Sequence, residues 1–191
     1  MKVPVREAVR SKGRGHFLLA GLLCLLLPVA MAQEQVTPTQ AEQRAEAVTQ
    51  VVLGILSYAR WPVEPTQLQL CIVGPTQYTD DLVKGTTQAT GRPVTVQRLL
   101  ADHPDIATAC NAVYVGRLTN DEHTRLFASL IGKPVLSISE GGDQCTVGSL
   151  FCLRVGDEQV SFEVNLDSVA RSGVRIHPSV LQLSRRRPAT P

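Results

Sequence analysis

The sequence predicts one three-layer-like α/β domain, in which a mixed β-sheet is flanked by helices and braced by two disulfides. Three observations carry this prediction. Strand-like apolar runs alternate with helical patterns through most of the chain, which is the order typical of α/β sheets. Two alternating runs joined by Gly156-Asp157-Glu158 then indicate a β-hairpin. Finally, the chain that follows the apolar N-terminal segment contains an even number of cysteines.

The N-terminal segment has the three parts of a secretory signal peptide. Five basic residues precede an apolar run over 17–30, and Ala30-Met31-Ala32 supplies a small-x-small cleavage site. The run is shorter than the roughly 20 apolar residues that a spanning helix needs, and Pro28 interrupts it. We therefore expect residues 1–32 to be cleaved, and the mature chain to be periplasmic without direct membrane insertion.

The formal charge of the mature chain differs from that of the precursor. The full sequence has 19 basic and 17 acidic residues, of which residues 1–32 hold five and one, leaving 14 basic and 16 acidic residues. Nucleic-acid-binding domains present a basic face, so no nucleic-acid partner is expected. The remaining length fits a single domain over 33–184, followed by a flexible basic tail over 185–191.

The predicted elements follow one another along the whole mature chain. The capping box Thr37-Pro38-Thr39-Gln40 begins a long amphipathic helix that ends near Arg60-Trp61, before Pro62. A second capping box, Thr119-Asn120-Asp121-Glu122, begins a helix that Gly132 closes. The other predicted elements are strands over 68–73, 93–98, 112–116 and 135–139, a short helix from 76 towards 85, hairpin strands over 149–155 and 159–164, and a brief helix over 165–173.

Four cysteines remain after removal of the signal peptide, namely Cys71, Cys110, Cys145 and Cys152. Three pairings are possible. The layout of the elements favours a Cys145–Cys152 bond, which ties a loop to the following strand, and a Cys71–Cys110 bond between the first strand and the entry of the third. The C-x₂₋₄-C pairs and nearby histidines typical of zinc sites are missing from the sequence, as is a C-x-x-C redox site. Structural disulfides are therefore favoured over a metal site.

The sequence contains no motif that indicates catalysis. It has no G-x-S-x-G elbow, no H-E-x-x-H metal motif, no Gly-rich phosphate loop and no nucleotide fingerprint. We therefore expect neither an enzyme nor a bound cofactor. A hydrolase or thiol enzyme of an unrecognised kind is the alternative, and the absence of a nucleophile–base pair counts against it.

Two stretches are candidates for a small-ligand site. Arg60 and Trp61, the single tryptophan of the chain, lie at the predicted end of the first helix. They form either a core plug with a snorkelling arginine or one wall of an anion pocket. Arg175 and His177 alternate on one side of an extended segment, where they either face solvent or bind a carboxylate or phosphate. A periplasmic small-ligand sensor is accordingly the alternative function.

The run over 160–169 is the candidate partner surface. It places Glu163 between apolar neighbours of a strand, close to the apolar residues of a short helix. Ordinary packing is one interpretation. The other is an interface, since interfaces combine an apolar centre with a polar rim. For this second interpretation the expected contact residues are Phe151, Glu163, Leu166 and Val169, extended by the basic C-terminal segment.

Several of these segments together resemble the YfiR family of periplasmic regulators, and the closeness suggests a pseudomonad-type member. The resembling residues lie over 54–62, 70–72, 148–153 and 162–174. The resemblance extends over nearly the whole mature chain. Its joint pattern is specific, although none of the four segments is diagnostic alone.

The resemblance implies a function that composition does not show. Members of this family bind the periplasmic sensor domain of the inner-membrane diguanylate cyclase YfiN and hold it inactive, which lowers cyclic di-GMP and biofilm formation. The outer-membrane lipoprotein YfiB sequesters them, and redox stress enters because they need their disulfides to stay folded. The resemblance also implies a homodimer and the same two cysteine pairs that the layout favours.

Overall fold

A seven-stranded mixed sheet organises the part of the chain that the computed structural model describes, residues 38–88, 90–141, 147–157 and 159–185. The helices are α1 (Gln40–Tyr58), α2 (Ile106–Ala109), α3 (Asn120–Leu130) and α4 (Leu166–Ser172), with 3-10 helices at Leu82–Lys84 and Pro178–Arg185. The strands are β1 (Ala59–Arg60), β2 (Leu68–Val73), β3 (Thr86–Thr87), β4 (Pro93–Leu99), β5 (Ala112–Val115), β6 (Leu136–Ser139), β7 (Phe151–Val155), β8 (Val160–Val164) and β9 (Arg175–Ile176). No helix in these ranges has the length and apolar content needed to cross a membrane.

The order of strands in the sheet is β3-β4-β2-β5-β6-β7-β8. The five strands from β4 to β7 are parallel, while β3 and β8 pair antiparallel at the two edges. Parallel strands need crossover connections, which α2 and α3 provide in part. The mixed sheet and the β7–β8 hairpin confirm the predicted fold class.

Helices cover both faces of the sheet, so the domain has two apolar cores. The larger core packs α1 and the C-terminal 3-10 helix against alternate residues of the strands, among them Leu70, Tyr114 and Ile138. The smaller core packs α2 and α3 against the opposite residues, among them Val73 and Val113. Because the sheet is covered on both faces here, β5 and β6 bury every side chain, including Ser137 and Ser139, and β2 leaves only Gln69 partly exposed.

Helix α1 begins two residues later than the sequence pattern predicts. The observed capping box joins Thr39 to Glu42, rather than Thr37 to Gln40, and Thr37 lies outside the described residues. The backbone N–H of Thr39 donates to the Glu42 carboxylate at 2.6 Å. This hydrogen bond, together with one from the Thr39 side chain, lowers the pKa of the Glu42 carboxyl. The glutamate carboxylate competes better than the Gln40 amide for this position because it also complements the helix dipole.

Three other elements begin or end at residues that differ from the predicted ones. The helix predicted from 76 towards 85 is reduced to the 3-10 turn Leu82–Lys84. Helix α1 ends at Tyr58, because the next two residues leave the helix to pair with β9. The described chain continues as a 3-10 helix through Arg185, where the flexible tail was expected to begin, and residues 186–191 lie outside the described ranges.

One predicted disulfide joins two central elements of the sheet. Cys71 of β2 is bonded to Cys110, which precedes β5, with a Cα–Cα distance of 5.9 Å, within the usual range for a disulfide. Cys152 of β7 is also disulfide-bonded. Its predicted partner Cys145 lies outside the described residues, so the second pairing stays a prediction.

Removal of the Cys71–Cys110 bond should destabilise the domain. The bond closes a sequence separation of 39 residues, which in the chain-entropy account contributes about 3–4 kcal/mol to the free energy of unfolding. Urea denaturation of the Cys71→Ala and Cys110→Ala variants and of the double variant should show this loss. Because either substitution removes the same bond, the double variant should lose little more than either single one. Additive losses in the three variants would contradict a contribution that comes from the bond itself.

Candidate functional site

Phe151, predicted as a partner contact, lies in the core instead. Its side chain is 0% exposed and meets the ring of Phe162 edge-on, with 5.5 Å between the ring centroids. It belongs to the larger core under α1. Burial of this aromatic pair stabilises the β7–β8 hairpin. Phe151 therefore cannot contribute an exposed contact, and we exclude it from the candidate surface.

The other three predicted partner residues lie together where β8 passes into α4; we refer to Glu163, Leu166 and Val169 as the hairpin–helix surface. Glu163 is exposed near the end of the edge strand β8. Leu166 opens α4 and is 76% exposed. Val169, one turn later, is half-buried against the larger core.

Local hydrogen bonds fix the turn between β8 and α4. The side chain of Asn165 caps α4 by accepting the N–H of Ser168 at 3.0 Å. The backbone N–H of Asn165 donates to the carbonyl of Leu150 at 2.9 Å, which holds the helix start against the beginning of β7. The exposed leucine is therefore presented from an anchored position rather than from a loose loop.

Glu163 has two neighbours on the β7 strand. Its carboxylate accepts from Arg154 at 2.6 Å (Nη2) and 3.1 Å (Nε). Cys152 lies directly opposite Glu163 in the antiparallel ladder, so the two side chains are on the same face of the hairpin. The hairpin–helix surface is thus in contact with a disulfide-bonded cysteine and a paired arginine.

Three of the four predicted ligand residues also meet, on the two-stranded ribbon formed by β1 and β9. Arg60 and Arg175 are opposite partners in this ribbon, and both are exposed. The backbone N–H of His177 donates to the carbonyl of Tyr58 at 3.0 Å, and the two rings stack at 6.1 Å between centroids. We refer to Arg60, Arg175 and His177 as the basic ribbon. Like charges directly opposite one another destabilise a ladder.

Trp61, the fourth predicted ligand residue, is a core residue and not a wall of that site. Its side chain is 3% exposed, and its indole N–H donates to the carbonyl of Asn111 at 3.0 Å. The adjacent Arg60 points to solvent, with its guanidinium donating to the carbonyls of Ser57 and Ala59. Trp61 is therefore part of the core, as the first interpretation of this pair has it, while the exposed Arg60 belongs to the basic ribbon.

A pocket at the carboxyl edge of the sheet was not predicted from the sequence. It has a volume of about 470 Å³ and lies between the loop after β2, the end of β6 and the far end of the β7–β8 hairpin. We call it the carboxyl-edge pocket, and its polar lining residues are Gln77, Tyr78, Glu140, Arg154, Gln159 and Ser161. Four separate segments contribute these residues, so no local motif could have revealed it.

Glu140 lies on the inner side of this pocket, where its carboxylate interacts with the backbone of Gln77 and with the Tyr114 hydroxyl. Its Oε1 accepts the backbone N–H of Gln77 at 2.6 Å. Its Oε2 is buried and has no hydrogen-bond partner within the described chain. Burial raises the pKa of the Glu140 carboxyl above its ordinary value, although the Gln77 N–H, the Tyr114 hydroxyl and the positive charges of Arg98 and Arg117 act in the opposite direction.

Tyr114 lies behind Glu140 in the larger core. Its hydroxyl is buried without a hydrogen bond of acceptable geometry to any described residue, although it interacts with the Glu140 carboxyl. Burial, followed by the neighbouring Glu140 charge, raises the pKa of the Tyr114 phenol, which therefore stays protonated. Within the described ranges no group of three or more His, Cys, Asp or Glu side chains is arranged to hold a metal ion.

The raised pKa of Glu140 predicts a pH-dependent stability. The folded protein holds the Glu140 proton more tightly than the unfolded chain, so the stabilisation is complete below the ordinary value of 4.5 and is lost as pH rises through the higher folded pKa. The free energy of unfolding of the wild type, relative to that of Glu140→Gln, should therefore fall over this window. Urea titrations at a series of pH values test it, with Glu46→Gln on the exposed face of α1 as control. A difference that rises with pH would contradict the burial of the carboxyl.

The comparison with known protein families agrees with the resemblance carried by the sequence. The profile of YfiR/HmsC-like proteins matches residues 45–185, from the first turns of α1 to the end of the C-terminal 3-10 helix. The match includes the hairpin–helix surface, the basic ribbon and the carboxyl-edge pocket. It indicates a periplasmic regulator of the cyclic di-GMP system. The chain therefore belongs to the YfiR/HmsC-like family.

Proposed function

We propose that this protein represses an inner-membrane diguanylate cyclase of the YfiN kind by binding its periplasmic sensor domain. The observation that carries the proposal is the hairpin–helix surface, where the exposed Leu166 lies beside the charged Glu163 on an anchored turn. An exposed apolar residue with a polar rim is the composition of a binding centre. Repression lowers cyclic di-GMP and biofilm formation.

Inhibition of this kind is a population shift. The protein must bind the inactive conformation of the cyclase sensor domain more tightly than the active one, because equal affinity for the two would change nothing. A specific interface buries about 800 Å² on each partner, which is more than Glu163, Leu166 and Val169 provide. The interface therefore extends from these residues onto the neighbouring C-terminal segment, and a homodimer would present two such surfaces.

Relief of repression has two proposed routes. An outer-membrane lipoprotein of the YfiB kind sequesters the protein by covering the same surface. Redox stress acts through the cysteines: Cys152 lies opposite Glu163 in the hairpin, so reduction of its disulfide alters the strand that holds the contact residue. Export by cleavage after Ala32 delivers the protein to the compartment that contains both partners.

Reversing the charge of Glu163, or placing a charge at Leu166, should abolish repression. Glu163→Lys and Leu166→Asp should each weaken binding to the isolated cyclase sensor domain by tenfold or more, roughly 1.4 kcal/mol, the size of a moderate interface contribution. Binding is measured by calorimetry. Cyclic di-GMP is measured in a deletion strain complemented with each variant, in which the level should stay high.

Leu100→Asp is the matched control for Leu166→Asp. Leu100 is 75% exposed and Leu166 is 76% exposed, but Leu100 follows β4 at the opposite end of the sheet order. This control should restore the low cyclic di-GMP level of the wild type. Variants of Glu163 and Leu166 that fold, bind and repress normally would exclude this surface, and an unchanged cyclic di-GMP level in the deletion strain would exclude the inhibitor function.

A second function, sensing of a small anionic ligand, is favoured by the basic ribbon, where Arg60 and Arg175 are placed opposite each other. Two guanidinium groups with an adjacent imidazole suit a carboxylate or phosphate. Arg175→Ala should weaken the binding of a nucleotide or aromatic amino acid about tenfold, as expected for loss of a charge-assisted hydrogen bond. Calorimetry with AMP and phenylalanine measures it, with the exposed Arg125→Ala on α3 as control. Equal affinity in the two variants, or no binding, would exclude the site.

A further inference from the structure

The turn between β1 and β2 carries the most exposed large apolar side chain of the described ranges. Val63 is 85% exposed, although Trp61, two residues earlier, is only 3% exposed. Pro62 is exposed as well, and we refer to Pro62 and Val63 as the apolar tip. Single exposed apolar residues are ordinary on protein surfaces, but this tip is held rigidly and its charged surroundings have one sign.

Hydrogen bonds hold the turn on both sides of the apolar tip. The backbone N–H of Trp61 donates to Oε1 of Glu64 at 3.0 Å, which closes the turn across the tip. Oε2 of Glu64 is paired with Arg92, the residue before β4, at 3.0 Å. The indole N–H of Trp61 donates to the carbonyl of Asn111, before β5. The turn is therefore fastened at the entries of two strands of the sheet.

Two prolines restrict the backbone of the same turn. Pro62 has a fixed φ and disfavours helical geometry in Trp61, and Pro65 does the same for Glu64. Val63 lies between them, and its β-branched side chain has few rotamers. A group that is already ordered loses little conformational entropy on binding, so its burial contributes more fully to affinity.

The charges beside the apolar tip are positive. Arg60 precedes Pro62 by two residues and lies opposite Arg175 in the ribbon. Neither guanidinium forms an ion pair with a carboxylate of the described chain. The nearby Glu64 carboxylate is already occupied by Arg92 and by the Trp61 N–H. The surface that complements this arrangement is an apolar pocket with carboxylates at its rim.

The apolar tip is joined to the hairpin–helix surface through the basic ribbon. Only Gly173 and Val174 separate the end of α4 from β9, which pairs with β1, and the tip follows β1 after Trp61. Val63 and Leu166, which opens α4, are the two most exposed large apolar side chains of the described ranges. A specific interface needs about 800 Å² on each partner, so a contact surface built around Leu166 has to take in further exposed groups of this kind.

We propose that the apolar tip is a second contact with the cyclase sensor domain, in which Val63 enters an apolar pocket whose acidic rim pairs with Arg60 and Arg175. This contact rests on the proposed function, and it adds to the interface a turn outside the hairpin–helix surface and the basic ribbon. A protein pocket is favoured over a lipid surface, because even a whole acyl chain gives only marginal membrane binding and one valine contributes less.

Calorimetry with the isolated cyclase sensor domain tests the contact in variants of the mature protein. Val63→Asp should raise the Kd tenfold or more, the loss expected for a central interface residue. Val63→Lys should raise it less than Val63→Asp does, because the acidic rim attracts the lysine and repels the aspartate. Since the Val63 side chain is exposed, both variants should fold as the wild type does.

Leu100→Asp and Leu100→Lys are the matched controls. Leu100 is 75% exposed and follows the carboxyl end of β4, whereas the apolar tip precedes the amino end of β2, the parallel neighbour of β4. The two positions are therefore at opposite ends of the sheet. Both controls should keep the Kd of the wild type.

The possible results separate this contact from the proposed function. Wild-type affinity in both Val63 variants would overturn the contact and leave the proposed function standing, and equal losses in the two would overturn the acidic rim. A wild type that does not bind the sensor domain would overturn the proposed function and the contact together. If Val63→Asp abolished binding to phosphatidylglycerol vesicles without changing the Kd for the sensor domain, the tip would belong to a lipid surface instead.

Discussion

The burial of β2 on both faces and both edges is the constraint on which the rest of the structure depends. Its backbone is hydrogen-bonded to β4 on one side and β5 on the other. Leu70 and Ile72 pack into the core under α1, whereas Cys71 and Val73 pack into the core under α3. The two neighbouring strands pair the backbone polar groups of β2, as a buried strand requires. Its alternate side chains contribute to the cores under both helical layers, and Cys71 carries the disulfide.

Asn111, the residue before β5, links β2 to β6 and to Trp61 through hydrogen bonds. The backbone N–H of Asn111 donates to the carbonyl of Gln69 in β2, and the backbone N–H of Gln69 donates to the side-chain oxygen of Asn111, each at 2.9 Å. Its carbonyl accepts from Leu136 of β6 and from the indole of Trp61. One residue thus fixes two strands and the end of α1. With Trp61 held inside, the preceding Arg60 must face outwards, and this places the basic ribbon on the surface.

The sequence predicted those elements whose signals are local. The apolar run over Leu68–Val73, the capping box of α3 and the turn residues of the β7–β8 hairpin each lie within a few positions of one another, and the structure has all three. The β1–β9 ribbon pairs residues that are more than one hundred positions apart. A two-residue strand has no periodicity to detect, so this pairing could not be predicted.

The candidate sites also differ in whether local sequence signals or long-range contacts determine them. Glu163 and Leu166 are close in sequence. The alternation of β8 accounts for the exposure of Glu163, whereas α4 buries Ser168 and Ser172 and exposes Leu166 against the apolar pattern. For Trp61 the sequence leaves a core position and a pocket wall open, and for Phe151 it predicts a partner contact, because an aromatic residue suits a core and a binding surface equally well. Only the tertiary packing places both side chains in the core. The carboxyl-edge pocket depends on the path of the loop after β2, which is set by its contacts with Gly116 and Glu140 rather than by its own residues.

Arg154 joins the carboxyl-edge pocket to the hairpin–helix surface. It lines the pocket and is paired with Glu163, and the two side chains are 65% and 50% exposed to solvent. A molecule bound to Arg154 would weaken this pair, and a partner bound to Glu163 would do the same, so by linkage each would alter the affinity of the other by the same factor. An exposed ion pair contributes at most about 1 kcal/mol, roughly a five-fold change. Under the proposed function, coupling through this pair would be strong enough to adjust repression but too weak to switch it, so complete release would need a competing partner or the loss of the disulfide at Cys152.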